Sequence, residues 1–261
     1  MNVAATGFDA LHAVVQHHVV NTLGWPELRP LQEQAIGPVL AGYDALLLAP
    51  TAGGKTEAAM FPLLTRMASE QWQGLSVLYV CPLKALLNNL EPRLTAYASW
   101  LGRRAMVRHG DTGQGERRRQ ALDRPDVLLT TPESLESMLV SRLLDPNIVF
   151  ADVRAVVVDE VHAFAGDDRG WHLLAVLERL TALTGRPLQR VGLSATVGNA
   201  EDLLGWLQGS NRDAGSPAHV VAPDVAGTVD PELTLDYVGI TDNAATVISA
   251  LHQGEKRLVF A

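Results

Sequence analysis

Ala49, Gly54, Lys55 and Thr56 carry the first chemistry legible in the chain: a small residue, four spacers, then Gly-Lys-Thr, within APTAGGKT. Thr51, Ala52, Gly53 and Gly54 are small enough for successive backbone N–H groups to turn inward around an anion. A helix opening at Lys55 would add the partial positive charge of its N-terminus. Lys55 can then reach the β and γ phosphates of a nucleoside triphosphate, and the Thr56 hydroxyl is an oxygen ligand for Mg²⁺. The spacing predicts a phosphate-binding loop, with ATP and Mg²⁺ as the expected cofactors. An exposed lysine on an ordinary strand-to-helix turn is the bland alternative. The apolar LLLA before the loop and the helix-forming KTEAAM after it supply the context that the pattern requires.

The stretch AVVVDEVHAF ends an apolar run with Asp159 and Glu160. The carboxyl end of a strand in an open α/β sheet is where ligands are held, so Asp159 is expected to join Thr56 on the metal. Glu160, the next residue, is a candidate acceptor for the proton of an attacking water. Lys55, Asp159 and Glu160 are therefore the catalytic candidates. A strand ending in Asp-Glu is by itself as readily a solvated end or a helix cap; the phosphate loop roughly one hundred residues earlier favours the metal site. His162, taken alone, reads as a structural histidine.

These residues need a scaffold that brings distant loops together. Short apolar runs at 45–49, 76–81, 105–109, 126–130, 155–159 and 189–194 alternate with segments of helical period at 55–69, 84–101, 115–122, 132–143 and 170–183. Pro92 is expected to break the second helix. The alternation is that of one open, mostly parallel α/β sheet of six strands with helices on both faces. A short helix is predicted at 201–207. The following Gly, Pro, Ser and Asp-rich stretch suggests a domain over 1–210 and a linker over 211–231. The alternation of ELTLDYVGI and the final KRLVFA suggest the beginning of a second, truncated domain at 232–261.

The chain has 261 residues, 47% of them hydrophobic, and a formal net charge of −8. That charge argues against wholesale coating of nucleic acid but leaves room for a local basic groove. No apolar run reaches the roughly 18 residues that would span a bilayer. With one cysteine, Cys81, and no secretory leader, the expectation is a cytoplasmic chain without a membrane partner.

LRPLQEQAI, APTAGGKTE, CPLKALLNN, HGDT, TTPESLE, DEVHAF and GLSATVGN follow one another in that order. As a set they resemble superfamily 2 DExH-box helicases, and PLKALLNNL, TTPESLESML and DEVHAFAGDDRGWHLLAVLERL are most similar to the large helicase-related, or Lhr-like, branch. The resemblance spans about residues 25 to 200 and implies a RecA-like domain. It implies that Gln32 reads adenine. It further implies that Pro82, Lys84, Gly110, Thr131 and Pro132 grip one strand of DNA or RNA, and that His162, Ser194 and Thr196 couple the nucleotide site to strand movement. Read without it, Gln32 is a surface glutamine, Lys84 a solvated lysine and Pro132 a helix-starting proline.

Arg103, Arg104, Arg108, Arg117, Arg118 and Arg119 make the most basic region of the chain, although such a cluster is more often a solvated face. Ala52 stands where the superfamily commonly has glycine. The resemblance also implies a second RecA-like domain as partner, supplying arginines to the γ-phosphate. The function expected is the ATP-binding domain of a helicase or translocase; a non-motor ATP switch and a silent interaction module are the alternatives.

Overall fold

The computed structural model describes residues 7–50, 52–113, 115, 123–141 and 144–223, together with 243, 246, 247 and 249. One unit runs to Pro223 and a second covers Asp224–Ala261. In the second unit only the four residues named are described, and they are helical. The expected second-domain start therefore lies almost wholly outside the described residues.

Seven strands form the sheet: β1 (Asp44–Leu48), β2 (Val77–Val80), β3 (Ala105–Arg108), β4 (Val127–Thr130), β5 (Ala155–Val158), β6 (Gln189–Ser194) and β7 (Ala218–Val221). Their order is β3-β4-β2-β5-β6-β1-β7, and every neighbouring pair is parallel. The longer helices are α1 (Ala13–Asn21), α2 (Pro30–Leu40), α3 (Lys55–Ser69), α4 (Lys84–Ser99), α5 (Pro132–Leu139), α6 (Asp168–Thr184) and α7 (Ala200–Gln208).

Side chains alternate across each central strand into two cores. Ala45, Leu47, Val77, Tyr79, Ala155 and Val157 pack with α1 to α4 on one face. Leu46, Leu48, Leu78, Val80, Val156 and Val158 pack with α5 to α7 on the other. Burial on both faces explains why these strands read as unbroken apolar runs. The α/β fold with helices on both faces is the one expected.

Two expectations are corrected. Helix α4 runs without a break through Pro92. Pro92 costs the hydrogen bond to the Asn88 carbonyl, but both residues are exposed, so water can take that carbonyl while Leu87, Leu90, Leu94 and Tyr97 hold the other face in the core. Residues 218–221, read from composition as linker, form β7, which pairs with β1 at the sheet edge. Ala218 and His219 are exposed, so no apolar alternation announced this strand. The helix expected at 115–122 lies outside the described residues except for its first position. Among the described residues no helix is long and apolar enough to cross a membrane.

Candidate functional site

Parallel strands put all their carboxyl ends on one edge of the sheet, and the candidate residues gather there. Register fixes their relative heights: Leu48 lies opposite Ser194 and Val158 opposite Gly192. The loop after β1, the end of β6 and the Asp159–Glu160 pair after β5 therefore adjoin in space. The Ala49 N–H donates to the Ser194 carbonyl at 3.3 Å, closing the loop's entry onto β6.

A first cleft of about 620 Å³ is lined by Gln32, Ala52, Gly53, Gly54, Lys55, Thr56, Asp159 and Glu160. Thr51 falls outside the described residues. Gly54 has a φ of 77°, and a Cβ there would sit 2.4 Å from Gln32 Nε2, so conformation and space both demand glycine. A Cβ on Gly53 would meet the Ala49 Cβ at 2.5 Å. Ala52 adopts a φ of 63° and takes the left-handed conformation without glycine's freedom. Lys55 Nζ donates to the carbonyls of Ala49 at 2.9 Å and Pro50 at 3.2 Å, which holds its charge within the loop.

Gln32 is almost wholly buried. Its Oε1 accepts from the Arg29 N–H at 3.0 Å and its Nε2 donates to the Gly54 carbonyl at 3.3 Å. Both ends of the amide thus brace the start of α2 against the loop. Arg29 reinforces the brace by donating to the Ala52 carbonyl.

Asp159 is buried beneath the loop. Its carboxylate accepts from Tyr79 Oη at 3.0 Å and from the Glu160 N–H at 3.0 Å. Burial raises the Asp159 carboxyl above its ordinary range; the Tyr79 hydrogen bond opposes this, and the charge of Glu160 adds to it. Burial and the Asp159 charge also push the Cys81 thiol up, so it stays protonated. Glu160 has a φ of 50°, a strained conformation for a side chain with a Cβ and one that clusters at functional sites. Its carboxylate lies 3.4 Å from His162 Nδ1, which lies 3.1 Å from Ser194 Oγ. The three form a chain from β5 to β6. Thr196 is exposed and no hydrogen bond joins it to that chain among the described residues.

A second cleft, of about 640 Å³, opens on the same edge beyond β2, β4 and β3. Pro82, Lys84, Gly110 and Thr131 line it. Lys84 Nζ pairs with Asp111 Oδ2 at 2.8 Å. The Thr131 hydroxyl caps α5 by accepting from the Ser134 N–H at 3.3 Å, and Pro132 takes the first helical position beside it. Arg103 and Arg104 are paired with Asp126 and Asp123, and Arg108 lines the cleft. Arg117 to Arg119 lie outside the described residues.

Two arginines at these clefts were not legible in the sequence. Arg169 lines the second cleft, donating to Glu133 Oε1 at 2.8 Å and to the Pro82 carbonyl at 3.0 Å. Arg93 lines the first and donates to Thr56 Oγ1 at 3.0 Å. A helix expected to break at Pro92 left the direction of the next side chain undefined. Spacing offered a better signal for Arg29, at the helix start three residues before Gln32.

Comparison with known proteins matches this arrangement to a family. The DEAD/DEAH box helicase family matches residues 29–203. The Lhr helicase/probable uracil glycosylase of Mycolicibacterium smegmatis is 41% identical over 216 residues, which are 77% of this chain and 14% of that protein. The ATP-dependent helicase Lhr-Core of Methanothermobacter thermautotrophicus is 40% identical over 202 residues, 70% of this chain and 23% of that protein. The solved structure of Mycobacterium smegmatis helicase Lhr bound to ssDNA and AMP-PNP aligns with a TM-score of 0.77 at 37% identity, covering 87% of this chain and 29% of that one. The chain spans less than a third of each of these relatives. With its motifs in family order on a parallel seven-stranded sheet, this chain belongs to the DEAD/DEAH box helicase family, with Lhr helicases among its relatives.

Proposed function

We propose that this chain is the ATP-binding domain of a helicase or translocase that couples ATP hydrolysis to movement on a single nucleic-acid strand, DNA rather than RNA. The observation that carries the reading is the placement of both clefts on one edge of the sheet. The first holds the phosphate loop with Lys55, Thr56, Asp159 and Glu160, and the second holds Lys84, Gly110 and Thr131. The single-stranded DNA and ATP analogue in the similar Lhr structure support the choice of ligands.

The residues present fit a nucleotide with Mg²⁺. Gly53 and Gly54 keep clear a cradle that any Cβ would fill, and the cleft volume is that of a small-molecule site. Thr56 and Asp159 offer a hydroxyl and a carboxylate, the hard oxygen donors this cation takes. Bound Mg²⁺ would neutralise phosphate charge and orient the scissile group. Lys55 would turn from its loop carbonyls to the phosphates, and Glu160 would accept the proton of the attacking water. His162 and Ser194 would carry the resulting shift of Glu160 into β6. Gln32 would read adenine only by exchanging one of its two present partners.

Calorimetry tests the first cleft. Lys55→Ala is expected to fold normally and lose Mg-ATP affinity by at least roughly 100-fold, because the lysine serves no core contact. Unchanged affinity in a folded variant overturns the assignment. Glu160→Gln should retain nucleotide binding in the full-length protein while its strand-stimulated turnover falls about 10²–10⁴-fold, the usual contribution of a general base.

A further inference from the structure

Two cations of the first cleft, Arg29 and Arg93, belong neither to the phosphate-loop pattern nor to the metal pair; Arg29 is spent on the Ala52 carbonyl, which leaves Arg93. It projects from α4 between two anchors. Its Nη2 donates to Thr56 Oγ1 at 3.0 Å, and its Nε lies 3.5 Å from Glu57 Oε1. Glu57 is almost wholly buried, and the same oxygen also accepts from the Tyr97 hydroxyl at 2.9 Å. The Arg93 side chain remains 45% exposed to the cleft. Its Nε end is therefore held by a buried carboxylate, while its Nη2 reaches Thr56 in the cleft that Gly53, Gly54 and Lys55 also line.

We propose that Arg93 is a phosphate ligand supplied from within this domain, held on the Thr56 hydroxyl until nucleotide arrives. The inference rests on the reading of the first cleft as a nucleotide site. Thr56 Oγ1 is the hydroxyl placed to meet the cation, and a guanidinium donating to that same oxygen at 3.0 Å would stand close to a divalent ion held there, where like charges repel. Arg93 must leave Thr56 when the ion is bound. The buried Glu57 charge keeps its Nε near, since losing the partner would strand a carboxylate in a largely dry site. The nearest anionic destination for the freed nitrogens is the polyphosphate that shares the ion. A planar guanidinium suits that destination, offering two parallel donors to phosphate oxygens.

The test is calorimetric titration of Arg93→Ala, Arg93→Gln and wild type with adenosine, ADP and ATP in the presence of Mg²⁺, with the unliganded melting temperature as a folding control. Arg93→Ala should bind ADP and ATP about 10-fold more weakly and adenosine with unchanged affinity, because adenosine carries no phosphate. Arg93→Gln, which keeps a donor for Thr56 but no charge, should show the same loss. Equal weakening toward all three ligands would make Arg93 a structural residue of the cleft wall and overturn the proposal, as would unchanged ADP and ATP affinity in both variants. Lys55→Ala run in parallel separates the two levels: if it too binds ATP like wild type, the nucleotide reading of the cleft fails and this proposal with it; if it loses ATP while Arg93→Ala does not, only the proposal about Arg93 fails.

Discussion

At the scale of single residues, the first cleft concentrates departures from ordinary backbone and side-chain chemistry. Ala52 sits at a φ of 63°, a conformation that costs a residue with a Cβ about 1–2 kcal/mol. Ala52→Gly relieves that strain at the expense of a looser unfolded chain. It should therefore be neutral or stabilising by up to about 1 kcal/mol in chemical denaturation, the reverse of the usual Ala→Gly loss. Asp159 carries a different cost. Its carboxyl is raised by burial, so it holds its proton more tightly folded than unfolded. Its contribution to stability is then fully favourable below the ordinary value of 3.8 and is lost as pH rises through the higher folded value. Asp159→Asn cannot ionise and should melt at a higher temperature than wild type at pH 7, with the advantage vanishing as pH falls below 3.8. A melting curve that shows no such crossover would remove the argument from burial.

At the scale of elements, α4 joins the two clefts. Lys84 and Ala85 at its start line the second, while Leu86, Asn89, Leu90, Arg93 and Tyr97 line the first. Nine residues of helix separate Lys84 from Arg93, about 14 Å of rigid rod at 1.5 Å per residue. On the proposed reading, a shift of the helix start toward a bound strand would be felt at Arg93 in the first cleft. Pro92 interrupts the hydrogen-bond ladder of this rod on its exposed side. Pro92→Ala should restore the bond to the Asn88 carbonyl and stabilise the domain by roughly 1–3 kcal/mol, read as a higher midpoint in denaturant. The central strands β2 and β5 were legible because both their faces are buried: VLYV and AVVV have no polar position to confuse the pattern. The continuity of α4 was not, because local chemistry forbids a mid-helix proline and only the packing of Leu87, Leu90 and Leu94 overrides it.

At the scale of the whole domain, a buried polar cluster ties the amino ends of the strands to the segment after α7. Asp44 accepts from the Arg190 N–H at 2.7 Å, from Gln208 Nε2 at 3.1 Å and from Asn211 Nδ2 at 3.1 Å. Gln208 also donates to the Ser216 carbonyl, and the Asp44 N–H donates to the Pro217 carbonyl at 2.9 Å. These bonds deliver the chain to the edge of β1, where β7 begins. Asp44→Ala would leave buried donors without their acceptor and should cost roughly 2–4 kcal/mol, lowering Tm by roughly 5–10 °C for a domain of this size. Unaltered thermal unfolding would show that the cluster does not hold β7 in place.

What the sequence determined by itself is local: a strand, a small-residue loop and a helix around Lys55, and an apolar strand ending in Asp159 and Glu160. Those signals survive without tertiary context because each depends on neighbours within about ten residues. The relations between segments were decided only by the fold. That Gln32 spends both ends of its amide on α2 and the loop, that His162 meets Ser194, and that Arg93 rests on Thr56 are consequences of register and helix packing. β7 is the extreme case: AHVV is too short and lacks the alternation that would mark a strand, and it becomes one because the Asp44 cluster brings its backbone beside the open edge of β1, whose donors and acceptors would otherwise go unpaired.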